Sequence, residues 1–185
     1  RGLGDVYKRQ TYYVEEVVGS CTSPQTQFDF TIHPPPSAPS ITPGAGITIC
    51  EGDIPADFIA NTGGASGTFN WYDVDPVVNP GAVAIFTGSP FPPNQTAPGT
   101  YTYWLTETDA TTTCVSPASI STFTINELPL QPTVSANPGF TICDGEPAPT
   151  FTAAQAVGSV GTGDYNWYDN DPALPGATLL GTGPT

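Results

Sequence analysis

Basic side chains are almost missing from this sequence. Its 185 residues include three, Arg1, Lys8 and Arg9, and none from Thr11 onward. Over that same stretch stand sixteen Asp and Glu, the seventeen of the chain less Asp5. A surface without positive charge repels phosphate, which argues against a nucleic-acid partner and against an anionic membrane surface. Histidine occurs once, as His33 beside a proline run, so no Ser–His or Cys–His relay can be assembled. With Lys and Arg also missing, nothing holds a substrate phosphate or carboxylate, and we expect no catalysis. No run of about 18 apolar residues exists, so no membrane insertion by a helix is expected. The four cysteines are widely spread and form no C-x-x-C, which argues against a zinc centre.

What the chain does have is turn chemistry. Gly numbers 20 and Pro 22, a composition that favours short strands over long helices. The basic residues are confined to positions 1–10, a sharp break in composition. That decapeptide resembles a translated sequencing-adapter scar, and it is set aside from the fold reasoning.

The rest is repetitive. Asn70-Trp71-Tyr72-Asp73-Val74-Asp75-Pro76 returns as Asn166-Trp167-Tyr168-Asp169-Asn170-Asp171-Pro172, 96 residues on. Other matches fall 93 residues apart: Cys21 with Cys114, Phe30-Thr31-Ile32 with Phe123-Thr124-Ile125, and Ile49-Cys50 with Ile142-Cys143. Such a period marks a tandem array. We expect residues 11–33 to be the end of one module and 34–39 a proline linker. Residues 40–128 form a complete module, 129–132 a second linker, and 133–185 the start of a further module. Within the complete module, strands are expected at about Ile47–Ile49, Asp57–Ala60, Thr68–Tyr72, Val83–Phe86, Thr100–Thr106 and Ile120–Ile125. Turn signals separate them, as in an antiparallel sandwich. Alternation places Tyr101, Tyr103 and Leu105 on the inner face and Trp104 on the outer one. Trp71 and Trp167 are expected in the core, which turns Tyr72 outward.

These motifs resemble a known family. Ile49-Cys50-Glu51-Gly52-Asp53, Trp71-Tyr72, Thr102-Tyr103-Trp104-Leu105 and Cys114 before Ser116-Pro117 are similar to the Ig-like repeats of large secreted surface proteins of Bacteroidota, exported by the type IX route. The resemblance runs from Thr11 to the end. It implies an all-β chain of tandem Ig-like antiparallel β-sandwiches, one complete and two truncated. It also implies an extracellular, cell-surface location and a non-catalytic role as adhesin stalk, spacer or adhesion module. The alternative is a carbohydrate-binding accessory region of a secreted glycan-degrading enzyme. In an exported protein Cys50 and Cys114 should pair. Their loop of about 64 residues would be worth roughly 4 kcal/mol, with the bridge near one end of the sandwich. Tyr101, after Pro98-Gly99, is similar to the corner tyrosine of such folds, its hydroxyl spent on backbone.

The expected partners are neighbouring repeats of the same chain, together with surface glycans or proteins. Tyr72 and Trp104 form a possible binding face for a sugar ring or a partner protein. No cofactor is expected. Calcium is the one weak candidate, because Glu51, Asp53, Asp73 and Asp75 are alternate acids on loops that can supply oxygen ligands. The two aspartates also read as ordinary turn residues.

Overall fold

The computed structural model describes residues 8–64 and 66–184. Their regular structure is entirely β, with no helix, and so with none long and apolar enough to cross a membrane. The chain divides into two compact units, Arg1–Asn126 and Glu127–Thr185.

The first unit opens on an antiparallel hairpin of β1 (Lys8–Val14) and β4 (Thr26–Ile32), with β2 (Val17–Val18) and β3 (Cys21–Thr22) paired in the connection between them. The decapeptide set aside above overlaps the described residues at its end. Lys8, Arg9 and Gln10 lie in β1, and Arg9 forms an ion pair with Asp29 across the ladder. Residues 1–7 lie outside the described residues. Every residue of β1 and β4 is exposed.

The chain then builds β5 (Ser40–Thr42), β6 (Ile47–Cys50), β7 (Ile59–Asn61), β8 (Gly67–Tyr72), β9 (Phe86–Thr87), β10 (Gly99–Asp109) and β11 (Ser119–Asn126). Five of these form one sheet in the order β6-β11-β10-β8-β9, and β5 pairs with β7 in another. The ladders are antiparallel, apart from β6 on β11, which is parallel. One apolar core takes Ala60 from β7, Phe58 beside it, Trp71 from β8, Tyr103 and Leu105 from β10, Phe123 and Ile125 from β11, and Phe91. The alternation expected in β10 holds for Tyr103 and Leu105, both buried, while Trp104 lies half-buried on the opposite face.

Trp71 is wholly enclosed, at 0% exposure, and its Nε1 donates to the Gly88 carbonyl at 2.9 Å. Burying its 150–250 Å² contributes up to roughly 4–6 kcal/mol, provided the indole N–H finds such a partner. The aromatic cluster around it is continuous, with Trp71 stacked on Phe91 at 4.9 Å between ring centres and Phe91 edge-on to Tyr103 at 4.9 Å. The Tyr101 hydroxyl donates to the Ala97 carbonyl at 2.8 Å, the backbone role expected of a corner tyrosine.

Two strand expectations shift. Val83–Ile85 is not strand: the residues paired in register with β8 are Phe86 and Thr87, with Ile85 adding a backbone bond to Trp71. Val83 lies exposed in the loop that follows Asn79-Pro80-Gly81. The strand expected from Asp57 begins at Ile59, with Phe58 held instead by reciprocal backbone bonds to Phe91. Strand β5 was not anticipated; three residues after a proline linker leave too short a pattern to read.

The second unit pairs β12 (Thr133–Asn137) with β13 (Thr150–Ala154), and β14 (Asn166–Tyr168) with β15 (Leu179–Thr182). It repeats local details of the first. Trp167 Nε1 donates to the Gly183 carbonyl at 2.9 Å, as Trp71 does to Gly88. Asp171 Oδ1 accepts from the Ala173 amide at 2.9 Å, as Asp75 Oδ1 accepts from Val77 at 2.8 Å.

Candidate binding cleft

The ladder between β8 and β10 covers only half of β10. It runs from Trp104 opposite Tyr72 to Asp109 opposite Gly67. The preceding segment, Gly99–Tyr103, therefore has β11 on one side and, among the described residues, no ladder partner on the other. A cleft of about 570 Å³ lies along that open edge, lined by Asp73, Ile85, the 91–95 loop and residues 100–104.

The floor of the cleft is braced. Gln95 Nε2 donates to the Tyr103 hydroxyl at 3.1 Å, and that hydroxyl donates to the Pro93 carbonyl at 3.4 Å. Burial, the largest influence, holds the Tyr103 phenol above its ordinary pKa of 10.0. Asn94 adopts a left-handed backbone, φ 36°, a conformation Asn tolerates better than most residues. The lining combines one indole, one carboxylate, two side-chain amides and the hydroxyls of Thr100 and Thr102. Such a set suits a polar, hydroxyl-rich ligand with an apolar face.

Tyr72 and Trp104 stand directly opposite each other on neighbouring strands, both half-buried, and Trp104 also borders the cleft. The Trp104 indole nitrogen is buried without a hydrogen-bond partner among the described residues.

The four acids are not brought together. Asp53 accepts from the Cys50 amide at 3.0 Å in the turn after β6, and Asp75 accepts from Val77 and Val78 after β8. Among the described residues no three His, Cys, Asp or Glu gather as metal ligands. The Asp53 and Asp75 carboxylates are engaged by their own turns.

The expected bridge between Cys50 and Cys114 is corrected. All four cysteines are free thiols. Cys50 closes β6 opposite Asn126, at the last residue of β11. Cys114 lies beyond the other end of the sheet, where its carbonyl accepts from the Asp109 amide at 2.9 Å. The 11 residues of β10 separate those levels, roughly 30 Å at about 3.3 Å per residue. A disulfide needs Cα atoms within about 7 Å. Spacing along the chain could not reveal that the two cysteines sit at opposite poles, because that depends on strand order and direction.

Glu107 escaped the sequence reading. It is 1% exposed, and its carboxylate accepts from Thr62 Oγ1 at 2.8 Å and from the Gly63 amide at 3.0 Å. The signal was present: Glu107 continues the inward phase of Tyr103 and Leu105. The 91–95 loop left no comparable signal, since no periodicity governs a proline-rich turn.

No known protein family's model matches the chain, and no curated protein matches it.

Proposed function

We propose that this chain is a non-catalytic, extracellular array of Ig-like β-sandwich repeats that acts as an adhesin stalk or spacer at the cell surface. The observation that carries the reading is the repeated tryptophan anchor, in which Trp71 and Trp167 each bond the carbonyl of the glycine just past the neighbouring strand at 2.9 Å. A motif rebuilt with the same internal bond fits a modular rod better than a single-site protein. The acidic, lysine-poor surface fits a secreted protein in salty water, where screening over about 8–10 Å relieves self-repulsion.

A mechanical test separates this from a soft linker. Stretched singly from its two ends, the chain should give a discrete unfolding step for the complete module, releasing about 30 nm of chain. A smooth, featureless extension would remove the stalk reading.

The second reading, a carbohydrate-binding accessory region, is favoured by the cleft beside Trp104 and Asp73. Titration with soluble polysaccharides, followed by Trp fluorescence, should then give saturable quenching that Trp104→Ala abolishes. Equal quenching in the variant would exclude the cleft.

A further inference from the structure

The two cysteines of the complete module lie at opposite poles, and each pole is a point where the chain enters or leaves. Cys50 is paired in register with Asn126, and the following residue, Glu51, donates its amide to the Asn126 carbonyl at 2.8 Å. Asn126 is the last residue of β11, so Cys50 marks the exit. At the other pole, Cys114 Sγ lies 3.9 Å from the His33 carbonyl. His33 follows β4 and begins the segment that leads into the module, so Cys114 marks the entry. That segment is docked: Pro39 is buried and its carbonyl accepts from the Ser119 hydroxyl.

The repeat makes these two poles the same place. Phe30 and Ile32 of β4 correspond to Phe123 and Ile125 of β11 at a spacing of 93, so His33 corresponds to Asn126. A repeat ending at His33 would hold its exit cysteine against His33 as Cys50 is held against Asn126. Paired neighbouring strands lie about 4.8 Å apart. The exit cysteine would then lie beside the residue whose carbonyl Cys114 already touches. Both cysteines would then stand against the same residue, and a disulfide between them requires their Cα atoms to come within about 7 Å.

We propose that these cysteines link repeats rather than close them: the exit cysteine of one repeat forms a disulfide with the entry cysteine of the next copy. The linkage rests on the tandem reading only through the 93-residue recurrence. Two thiols become one disulfide, and a disulfide oxidant of the exported compartment takes up the two electrons and two protons as its own two thiols. One thiolate attacks the oxidant, releasing the first thiol; the second thiolate then resolves the mixed disulfide, releasing the other. Each covalent staple would stop a junction from opening under load. It would do nothing for the core of a single module.

The full chain can test this, because among its described residues β4 has β1 as its one strand neighbour and leaves open the edge that β6 occupies on β11. The probe is a synthetic peptide with the sequence of Gly46–Asp53, its cysteine activated as a mixed disulfide with an aromatic thiol. The attacking protein thiolate displaces that aromatic thiol and keeps the peptide. Mass spectrometry of the digested product reads which cysteine carries it. Collision chemistry favours Cys21, Cys50 and Cys143, which are exposed, over the half-buried Cys114.

The proposal predicts the reverse. Cys114 should be labelled on the order of ten-fold faster by this peptide than by a scrambled one, because docking on β4 raises the local concentration. The paired substitution F30S/I32S should erase that preference while leaving the thermal unfolding of the complete module unchanged. Labelling in order of exposure, equal labelling of Cys114 by the scrambled peptide, or a Cys50–Cys114 bond inside one oxidised molecule would each overturn the proposal.

Discussion

The complete module and the second unit carry the same local chemistry with different burial. Phe58 is 1% exposed, while its counterpart Phe151 is 44% exposed. Trp71 is enclosed, whereas Trp167 makes the same indole-to-carbonyl bond and stays half-buried. The hairpin of the first unit makes the point from the other side, with Phe30 at 53% exposure where Phe123 has 2%. Motif and turn geometry therefore form locally, from a few residues and their nearest strand. Burial is a property of closure and needs β8, β10 and β11 beside one another with Phe58 and Phe91 across from them. The hydrophobic contribution follows the area removed from water, so one motif carries different energy in the two places.

The largest test of that contrast is Trp71→Ala against Trp167→Ala. Emptying an enclosed site should cost about 3–5 kcal/mol, enough to abolish the cooperative melt of the module. Trp167→Ala should leave that melt within about 0.5 kcal/mol of its original stability. Equal effects would break the comparison. Next in size is Glu107→Ala, which removes the acceptor for Thr62 and Gly63 and should cost about 1–3 kcal/mol in chemical denaturation. A cost near zero would mean that water satisfies those donors.

Tyr103→Phe against Tyr12→Phe is a finer probe, since Tyr12 pairs with Phe28 and Tyr103 with Ser121, positions 93 residues apart in the repeat. Losing the Tyr103 hydroxyl and its bonds to Gln95 and Pro93 should cost about 1 kcal/mol. Tyr12→Phe should leave the melt unchanged.

The smallest effects are in pH. The Tyr103 phenol is raised in the folded state, chiefly by burial, so its contribution is fully present below pH about 10 and fades as pH rises through the folded value. Tyr103→Phe should flatten that alkaline limb. The Asp109 carboxyl is lowered, first by the Thr112 amide, then by the Thr112 hydroxyl and the Thr111 amide. Its contribution is present above the ordinary Asp pKa of about 3.9 and is lost as pH falls through the folded value. Asp109→Asn should remove that acid limb, seen as a shallower fall in melting temperature below pH about 4.

Much of the fold could be read in advance because period-two alternation and turn residues act over a few positions. The strands around Trp71, Tyr103 and Phe123 were legible this way, as was the neighbourhood of Tyr72 and Trp104, which the register places opposite each other. The cleft was legible only at that rim. Its body depends on β8 stopping at Tyr72 while β10 continues to Gly99, and no property of either strand alone states where a ladder ends. Glu107 was hidden by a rule that holds for most carboxylates, that they stay in water unless paired.

The sequence by itself determined the repeat, the all-strand character, the inward phase of β10 and the tryptophan anchors, since each follows from local pattern and side-chain chemistry. Only the tertiary structure decided which aromatic residues are sealed and which remain exposed, where β10 opens into a cleft, and that Cys50 and Cys114 stand at opposite poles. Those outcomes depend on strand order and direction, which arise from long-range pairing and closure of the core.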